Sequence, residues 1–265
     1  MMIISSTTNA KVKFVRRLQN ERRFRMREQL YVAEGTRWAD ELVQLNVTPA
    51  QVYITEQWLN TAVHTQILQQ ISALSQTEPI TVTDAVMKMM SDTNTPPGIL
   101  LVLPIQPQPI PDKPTLILLL DGINTPGNLG TMLRTAGAAG ADLVLLAPNS
   151  VDAYNPKVVR GSMGAHLRLP IHHLSWEEIG EVVQNTAVTV ATIDAQTNYT
   201  DFNWQQPTTI IIGSEAHGAS KEARQLAQTP ITIPMHKATE SLNAAMAAGI
   251  ILFEAARQRK KTINN

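Results

Sequence analysis

Three groups of polar residues recur in order through the second half of the chain. They are Asn128 and Arg134 in Asn128-Leu-Gly-Thr-Met-Leu-Arg134, Glu215 in Gly213-Ser-Glu-Ala-His-Gly218, and Ser241 with Asn243 a short way after Ile233-Pro-Met235. A carboxylate at a strand end accepts hydrogen bonds from a bound hydroxyl or from Arg134, and glycines at 213 and 218 let backbone approach a ligand closely. Arg134 sits between Leu133 and Thr135 in an alanine- and glycine-rich helix built for close packing, where an arginine needs an anionic partner or ligand. More local roles stand beside these. Asn128, Ser241 and Asn243 are all good helix caps, and the stretch around Glu215 also reads as a solvent-facing loop.

The elements that must position these groups alternate between strand and helix. The apolar run Leu116–Leu120 reads as a strand, Gly130–Ala139 as a helix, Leu143–Leu146 as a strand, Pro156–Gly161 as a helix and Thr208–Ile212 as a strand, with a small-residue helix over Ala244–Gly249. Such alternation predicts a mostly parallel sheet with helices on both faces, and each polar group then falls at a strand-to-helix turn, where open parallel sheets bind ligands. Upstream, strands are expected at Gln29–Ala33 and Gln51–Ile54 and a helix at Thr36–Leu45, with further helices and strands through Gly98–Leu103. Pro104, Pro107, Pro109, Pro111 and Pro114 interrupt any ladder, so the chain divides into residues 1–103, a stiff linker at 104–114, and 115–265. The fold class is α/β in both parts.

The 265 residues are 43% hydrophobic, enough for one large or two modest cores. No cysteine is present, which excludes disulfides, thiolate zinc sites and a cysteine nucleophile and fits a reducing compartment, the cytoplasm by default. No apolar run approaches the roughly 20 residues of a membrane helix, and the Met1 end lacks a signal pattern. Gly-x-Gly-x-x-Gly and Gly-Lys-Ser/Thr turns are missing, which argues against dinucleotide and nucleoside triphosphate sites. The six histidines, at 64, 166, 172, 173, 217 and 236, show no metal-ligand spacing, so no metal is expected. His64, His166, His172 and His173 read as surface or internally satisfied residues, with His172 and His173 on opposite faces of a strand.

Net charge is zero, yet Lys11, Lys13, Arg16, Arg17, Arg22, Arg23, Arg25 and Arg27 crowd one helical pattern with Glu21 as its only acid and Phe14, Val15, Leu18 and Phe24 interleaved. A solvated helix surface is one reading, but a face so unbalanced repels itself unless an anion covers it, which favours a phosphate backbone as partner.

Taken jointly, the three groups resemble the three signature motifs of the SpoU branch of the SPOUT RNA methyltransferases, over essentially all of Thr115–Arg259. Ser150-Val-Asp-Ala-Tyr-Asn-Pro-Lys-Val-Val-Arg-Gly-Ser-Met-Gly-Ala165 looks like the segment between motifs one and two in ribosomal RNA members. Ser5-Ser-Thr-Thr-Asn-Ala-Lys-Val-Lys13 with Tyr31-Val-Ala-Glu-Gly35 is similar to the opening of their substrate-binding domain, which is related in fold to RNA-binding ribosomal proteins. The resemblance implies a homodimer, a deep trefoil knot in the carboxy-terminal domain, and S-adenosylmethionine held bent on Gly213, Ile233 and Leu242 with Met235 nearby. It carries Asn128, Arg134, Glu215, Ser241 and Asn243 over as the active-site polar residues and a ribose 2'-hydroxyl of RNA as acceptor. Lys157 and Arg160 join Lys11, Lys13, Arg16, Arg17, Arg22, Arg23 and Arg25 as expected RNA contacts. Family proposals make the motif-one arginine a base. A guanidinium, which stays protonated far above neutral pH, is better suited to gripping a phosphate.

Two positions depart from the pattern. Ala216 stands where glycine is usual after the motif-two glutamate, and His236-Lys-Ala-Thr239 replaces a glycine-containing loop, with Lys237 reading as a solvated lysine. Both raise the question of loop backbone angles. The separate basic amino-terminal part favours ribosomal RNA as substrate. The alternatives are a transfer RNA methyltransferase of the same branch and a non-catalytic RNA-binding or ribosome-assembly factor of the same fold.

Overall fold

Proline, glycine and aspartate cut the apolar runs of this chain into strands, and the computed structural model, which describes residues 3–74, 78–236 and 241–263, builds two sheets from them. Two compact units result: Met1–Gln106 with Tyr154–Leu167, and Pro107–Ala153 with Arg168–Asn265.

The first unit runs β1 (Ile3–Ile4), α1 (Ala10–Asn20), α2 (Arg22–Glu28), β2 (Leu30–Glu34), α3 (Thr36–Gln44), β3 (Gln51–Ile54), α4 (Ala62–Leu74), β4 (Ile80–Val82), α5 (Asp84–Met90) and β5 (Ile99–Pro104). Its sheet has the order β1-β4-β3-β5-β2, with β1, β4 and β3 parallel and β5 antiparallel to both neighbours. Successive side chains of β2 go to opposite faces. Tyr31 and Ala33 pack with Trp38, Leu42 and Ile71, whereas Val32 packs with Val12, Leu18, Val86 and Met90.

The basic stretch forms two helices where the sequence pattern predicts one. Glu21 is extended, at φ −116° and ψ 105°, and ends α1. The chain then folds back so that Phe24 is buried and the Arg25 guanidinium donates to the carbonyls of Leu18 at 2.6 Å and Gln19 at 3.1 Å. Those are carbonyls that a helix end leaves without partners, and a buried cation bonded to them replaces the turn that a continuous helix would have supplied.

The second unit begins with β6 (Leu116–Leu120), α6 (Pro126–Ala139) and β7 (Leu143–Leu146). The chain next passes through α7 (Pro156–Ser162), and residues 154–167 belong to the first compact unit. There Tyr154 and His166 lie against Tyr31, with ring centres 5.0 and 6.0 Å away, and Arg160 bridges to Asp92 at 2.7 Å. The second unit resumes with β8 (Ile171–His173), α8 (Trp176–Val183), β9 (Ala187–Ala191), β10 (Thr197–Asn198), β11 (Thr208–Ile212), α9 (Lys221–Leu226), β12 (Thr229–Thr232) and α10 (Ala244–Ile263).

All seven strands of this sheet are parallel, in the order β10-β12-β9-β11-β6-β7-β8. Every residue of β6, β7 and β11 is buried, as expected of central strands covered on both faces. Because the strands run one way, the turns after Leu120, Ala191, Ile212 and Thr232 emerge at one edge. Helix α6 starts at Pro126, four residues before the position expected from the sequence, because proline's fixed φ suits the first helical position.

Candidate active site

Where β11 ends, Gly213 opens a five-residue loop closed on itself. Ser214 and Gly218 exchange two backbone hydrogen bonds, each 2.9 Å, and Gly218 takes the left-handed φ of +67° that closure requires. Gly213 is needed by the loop itself as well. A Cβ there would lie 2.2 Å from the Ala219 nitrogen, so the missing side chain makes room for the loop's own backbone. The loop holds Glu215, Ala216 and His217 outward. Ala216 has no positive φ, so alanine is accommodated without strain at this departure from the motif.

Behind the loop stands Asp121, buried at the end of β6, whose carboxylate accepts from the Ser220 N–H at 2.6 Å. Ser220 in turn caps α9. The sequence signal was available in a charged residue directly after the fully apolar Leu116–Leu120, but no site role was read from it.

The three motifs meet through side chains. The Asn128 amide donates to Glu215 Oε1 at 2.7 Å, and the Asn243 amide donates to Asn128 Oδ1 at 3.1 Å. Asn243 Oδ1 meanwhile accepts from the backbone N–H groups of Ala245 and Met246, at 2.9 and 3.2 Å, and so caps α10. Asn128 is not a cap: Thr125 holds that position, and Asn128 is the third residue of α6 with its side chain free to bridge the motifs. Ser241 is exposed at the same edge, and the capping of α10 rests on Asn243.

Partial burial pushes the Glu215 carboxyl up. The hydrogen bonds it accepts outweigh that, chiefly from Asn128, then from its own backbone, Thr125 and the Asn124 N–H, and they hold it below the ordinary carboxylate value. A carboxylate so held stays ionised and acts as an acceptor at neutral pH.

Beside this junction lies a cleft of about 480 Å³, a size typical of small-ligand sites. Gly213, Ile233, Met235 and Leu242, all expected to bind cofactor, line it together with Glu215 and Ser241. Sequence reasoning missed Thr192 and Ile193 after β9, and His217 and Arg224, which line it too. Ile193, 68% exposed, follows a buried strand at the same sheet edge, and the parallel order would have pointed to it had the position of β9 been known.

Arg134 does not line the cleft. It is exposed on α6 and bonds to no other described residue, so the close packing expected around it is not what it meets. The loop expectations for residues 237–240, Lys237 among them, lie outside the described residues. Among the described residues no cluster of His, Asp or Glu could hold a metal ion, and no helix is long and apolar enough to cross a membrane.

The basic residues expected to meet RNA divide into two classes. Lys11, Lys13, Arg16, Arg22 and Arg23 are exposed. Arg25 is 3% exposed and is engaged with the α1 carbonyls, so it is not available to a phosphate. Arg17 pairs with Glu21 at 2.9 Å and lies 3.9 Å from the Phe24 ring centre, and Arg27 pairs with Glu28 at 2.7 Å. Lys157 lies exposed on α7, and Arg160 is paired with Asp92.

Comparison with known proteins is consistent with this geometry. Residues 115–253 match the SpoU rRNA Methylase family, and residues 9–101 match the MRM3-like substrate binding domain. The chain is 31% identical to "rRNA methyltransferase 3A, mitochondrial" of Danio rerio, covering 89% of this chain and 66% of that protein. It is 34% identical to "23S rRNA (uridine(2479)-2'-O)-methyltransferase" of Streptomyces viridochromogenes, covering 66% of each. The chain thus spans about two thirds of the length of both relatives. The structure of the SpoU methyltransferase AviRb from Streptomyces viridochromogenes, in complex with the cofactor AdoMet, superposes with a TM-score of 0.86 at 28% identity, over 95% of this chain and 98% of that one. With a SPOUT methyltransferase fold, a family match over more than half its length and these three motifs joined at one sheet edge, the chain belongs to the SpoU rRNA methylase family.

Proposed function

We propose that this protein transfers a methyl group from S-adenosylmethionine to a ribose 2'-hydroxyl of ribosomal RNA. The observation that carries the reading is the hydrogen-bonded run from Asn243 through Asn128 to Glu215, which ties all three motifs together at the mouth of an apolar, backbone-rich cleft. The cleft suits the cofactor. Ile233, Met235 and Leu242 offer apolar contact for its flat and aliphatic parts, and Glu215 and Ser241 supply polar groups beside them. When bound, S-adenosylmethionine supplies a methyl group already activated by its sulfonium.

What remains for the protein is alignment and charge. Arg134, cationic and without a partner among the described residues, grips the phosphate next to the target nucleotide and lowers the cost of negative charge at the 2'-oxygen. Ionised Glu215 fixes the Asn128 amide, Asn128 fixes Asn243, and Ser241 and Asn243 hold the loop and the incoming hydroxyl.

The same reading includes a homodimer and a trefoil knot. Met246 and Phe253, 59% and 54% exposed, sit seven residues apart along one side of α10, and a second copy covers them. The strand β12 inserts between β9 and β10, Ile233 and Met235 after it and Ser241 and Leu242 before α10 line the cleft, and α10 packs on α6, a path compatible with a knot. Ribosomal RNA is favoured over transfer RNA by the separate amino-terminal unit with its exposed cations and by the names of the relatives. The lack of cysteine suits a cytoplasmic setting.

The test is transfer of labelled methyl from S-adenosylmethionine to RNA of cells lacking the protein, followed by mapping of 2'-O-methylated nucleotides. One ribosomal RNA site, lost with Arg134→Ala, is the expected result. No incorporation together with no cofactor binding would sink the reading and leave the non-catalytic RNA-binding factor in its place.

A further inference from the structure

A second cavity, of about 530 Å³, opens in the first unit at the carboxy-terminal ends of β3 and β4, where the parallel pair gives way to antiparallel β5. The cavity lies outside the carboxy-terminal ends of the parallel strands, where open sheets present crevices between their turns. The floor of the crevice is aromatic. Trp58 and His64 stack with ring centres 4.5 Å apart and planes 4° from parallel. The pair is fixed by hydrogen bonds: His64 Nδ1 must donate to the Trp58 carbonyl at 2.6 Å, and Trp58 Nε1 donates to Thr36 Oγ1 at 3.0 Å.

The wall is equally constrained. Gly98, at φ +81°, presses so closely on the floor that a Cβ would lie 2.9 Å from Trp58 Cβ. Residues 91 to 98, which lead into it, are pinned where the Asp92 N–H donates to Glu34 at 2.9 Å and the Asp92 carboxylate meets Arg160 at 2.7 Å. At the rim stand Asp84 and Lys88 on α5, both exposed, and α5 packs against the cationic α1.

A rigid planar floor, a narrow wall of Pro96 and Pro97, one carboxylate and one ammonium suit a flat heterocycle joined to an anion. Every nucleobase has a face to stack, those with N–H groups donate to a carboxylate, and the attached phosphate answers the lysine. The neighbouring cationic helix favours a polyanion.

We propose that this cavity takes one unpaired base of the RNA substrate, stacked on the outer face of His64, which buried Trp58 backs from the other side, with Lys88 on its phosphate. This rests on the reading of the protein as an RNA methyltransferase and adds to it a shape requirement: the first unit recognises RNA that offers an extruded nucleotide. A free mononucleotide shares the chemistry, so the test separates the two sources.

Fluorescence anisotropy on the full chain would compare an RNA hairpin carrying one bulged nucleotide with the fully paired hairpin, for wild type, His64→Ala and Lys88→Glu. Calorimetry would measure S-adenosylmethionine binding to the same proteins. The wild type should prefer the bulged hairpin by about tenfold, the loss typical of removing one stacked base, and both variants should bind the two hairpins alike. Should His64→Ala fail to fold, Lys88→Glu, at an exposed position, carries the comparison. Equal binding of both hairpins by wild type, or an unchanged preference in Lys88→Glu, overturns the proposal. So does full competition by free mononucleotides at concentrations comparable to the RNA, since the site would then serve a small ligand. Absence of cofactor binding in the wild type counts against the methyltransferase reading alone, because the hairpin preference is scored independently of it.

Discussion

The two units use their polar residues in opposite ways. In the second, the motif side chains are bonded to one another across three strand ends: Glu215 to Asn128, and Asn128 to Asn243. In the first, three of the eight basic residues are spent on the protein itself, Arg25 on the α1 carbonyls, Arg17 on Glu21 and Arg27 on Glu28, while the other five stay exposed. The difference lies in what each kind of pattern can specify. Motifs that follow buried strands of a parallel sheet must converge, because every strand delivers its carboxy-terminal end to the same edge. A run of charges carries no such constraint, and tertiary structure decides which of them face solvent.

The contrast is most directly broken at Arg134. Arg134→Ala should lower methyl transfer by about 10²- to 10³-fold, the usual cost of losing one group that meets developing charge, with S-adenosylmethionine affinity unchanged by calorimetry. Arg134→Lys should recover little, because an ammonium cannot reproduce a two-pronged grip. A variant with full activity would end the role assigned to this residue.

Gly213→Ala tests whether the loop or the ligand needs the glycine. With a Cβ 2.2 Å from the Ala219 nitrogen, the loop backbone must shift. The expected outcome is a loss of about 1–3 kcal/mol of stability, as for other overpacked sites, visible as a lower Tm without cofactor present. An unchanged apo Tm with weakened cofactor binding would restore the ligand-approach explanation.

In the first unit the paired substitutions Arg25→Ala and Arg23→Ala should separate cleanly. Arg25→Ala leaves buried carbonyls without their donor, at a cost of about 1–3 kcal/mol, and should leave the salt dependence of RNA binding as it was. Arg23→Ala should leave Tm alone and reduce the slope of log affinity against log salt by about 0.7–0.9, one phosphate's worth. If both variants changed only RNA affinity, the division of the basic run would fail.

Much of this was legible in the residues. The bounds of β3, β6, β7 and β11 agree with the apolar runs because proline, glycine, asparagine or aspartate stands at or near their ends. The break between α1 and α2 was not legible, since it depends on Arg25 reaching back to Leu18 and Gln19, a contact with no local signature. Residues 154–167 were read with the second half of the chain, and the packing of Tyr154 and His166 on Tyr31, of Val159 and Leu167 in the first core, and the Arg160–Asp92 ion pair place them in the first unit. His64 is internally satisfied, as one of its two sequence readings had it, through the Trp58 carbonyl and the Thr36 hydroxyl, but its stack on Trp58 was not legible, because α3, the turn after β3 and α4 come together only in the fold.

The smallest effect, and the sharpest test of the junction between motifs, is its response to acid. Burial raises the Glu215 carboxyl and the Asn128 amide, with the backbone and Thr125, lowers it by more, so its pKa in the folded protein lies below the ordinary 4.5. A group whose folded-state pKa is depressed contributes stability that is present above the unfolded value and lost as pH falls through the folded one. S-adenosylmethionine binding should therefore hold level from neutral pH down to about 5 and decline only below the ordinary carboxylate range. Glu215→Gln retains a carbonyl acceptor for Asn128 but cannot titrate, so it should bind somewhat more weakly at neutral pH and lose that acid limb. Calorimetry across this range would decide the matter. A decline already under way between about pH 5 and 7 in the wild type, and absent in Glu215→Gln, would mean that the carboxylate is not held low. The Asn128–Glu215 hydrogen bond would then not be what ties the second motif to the first and third.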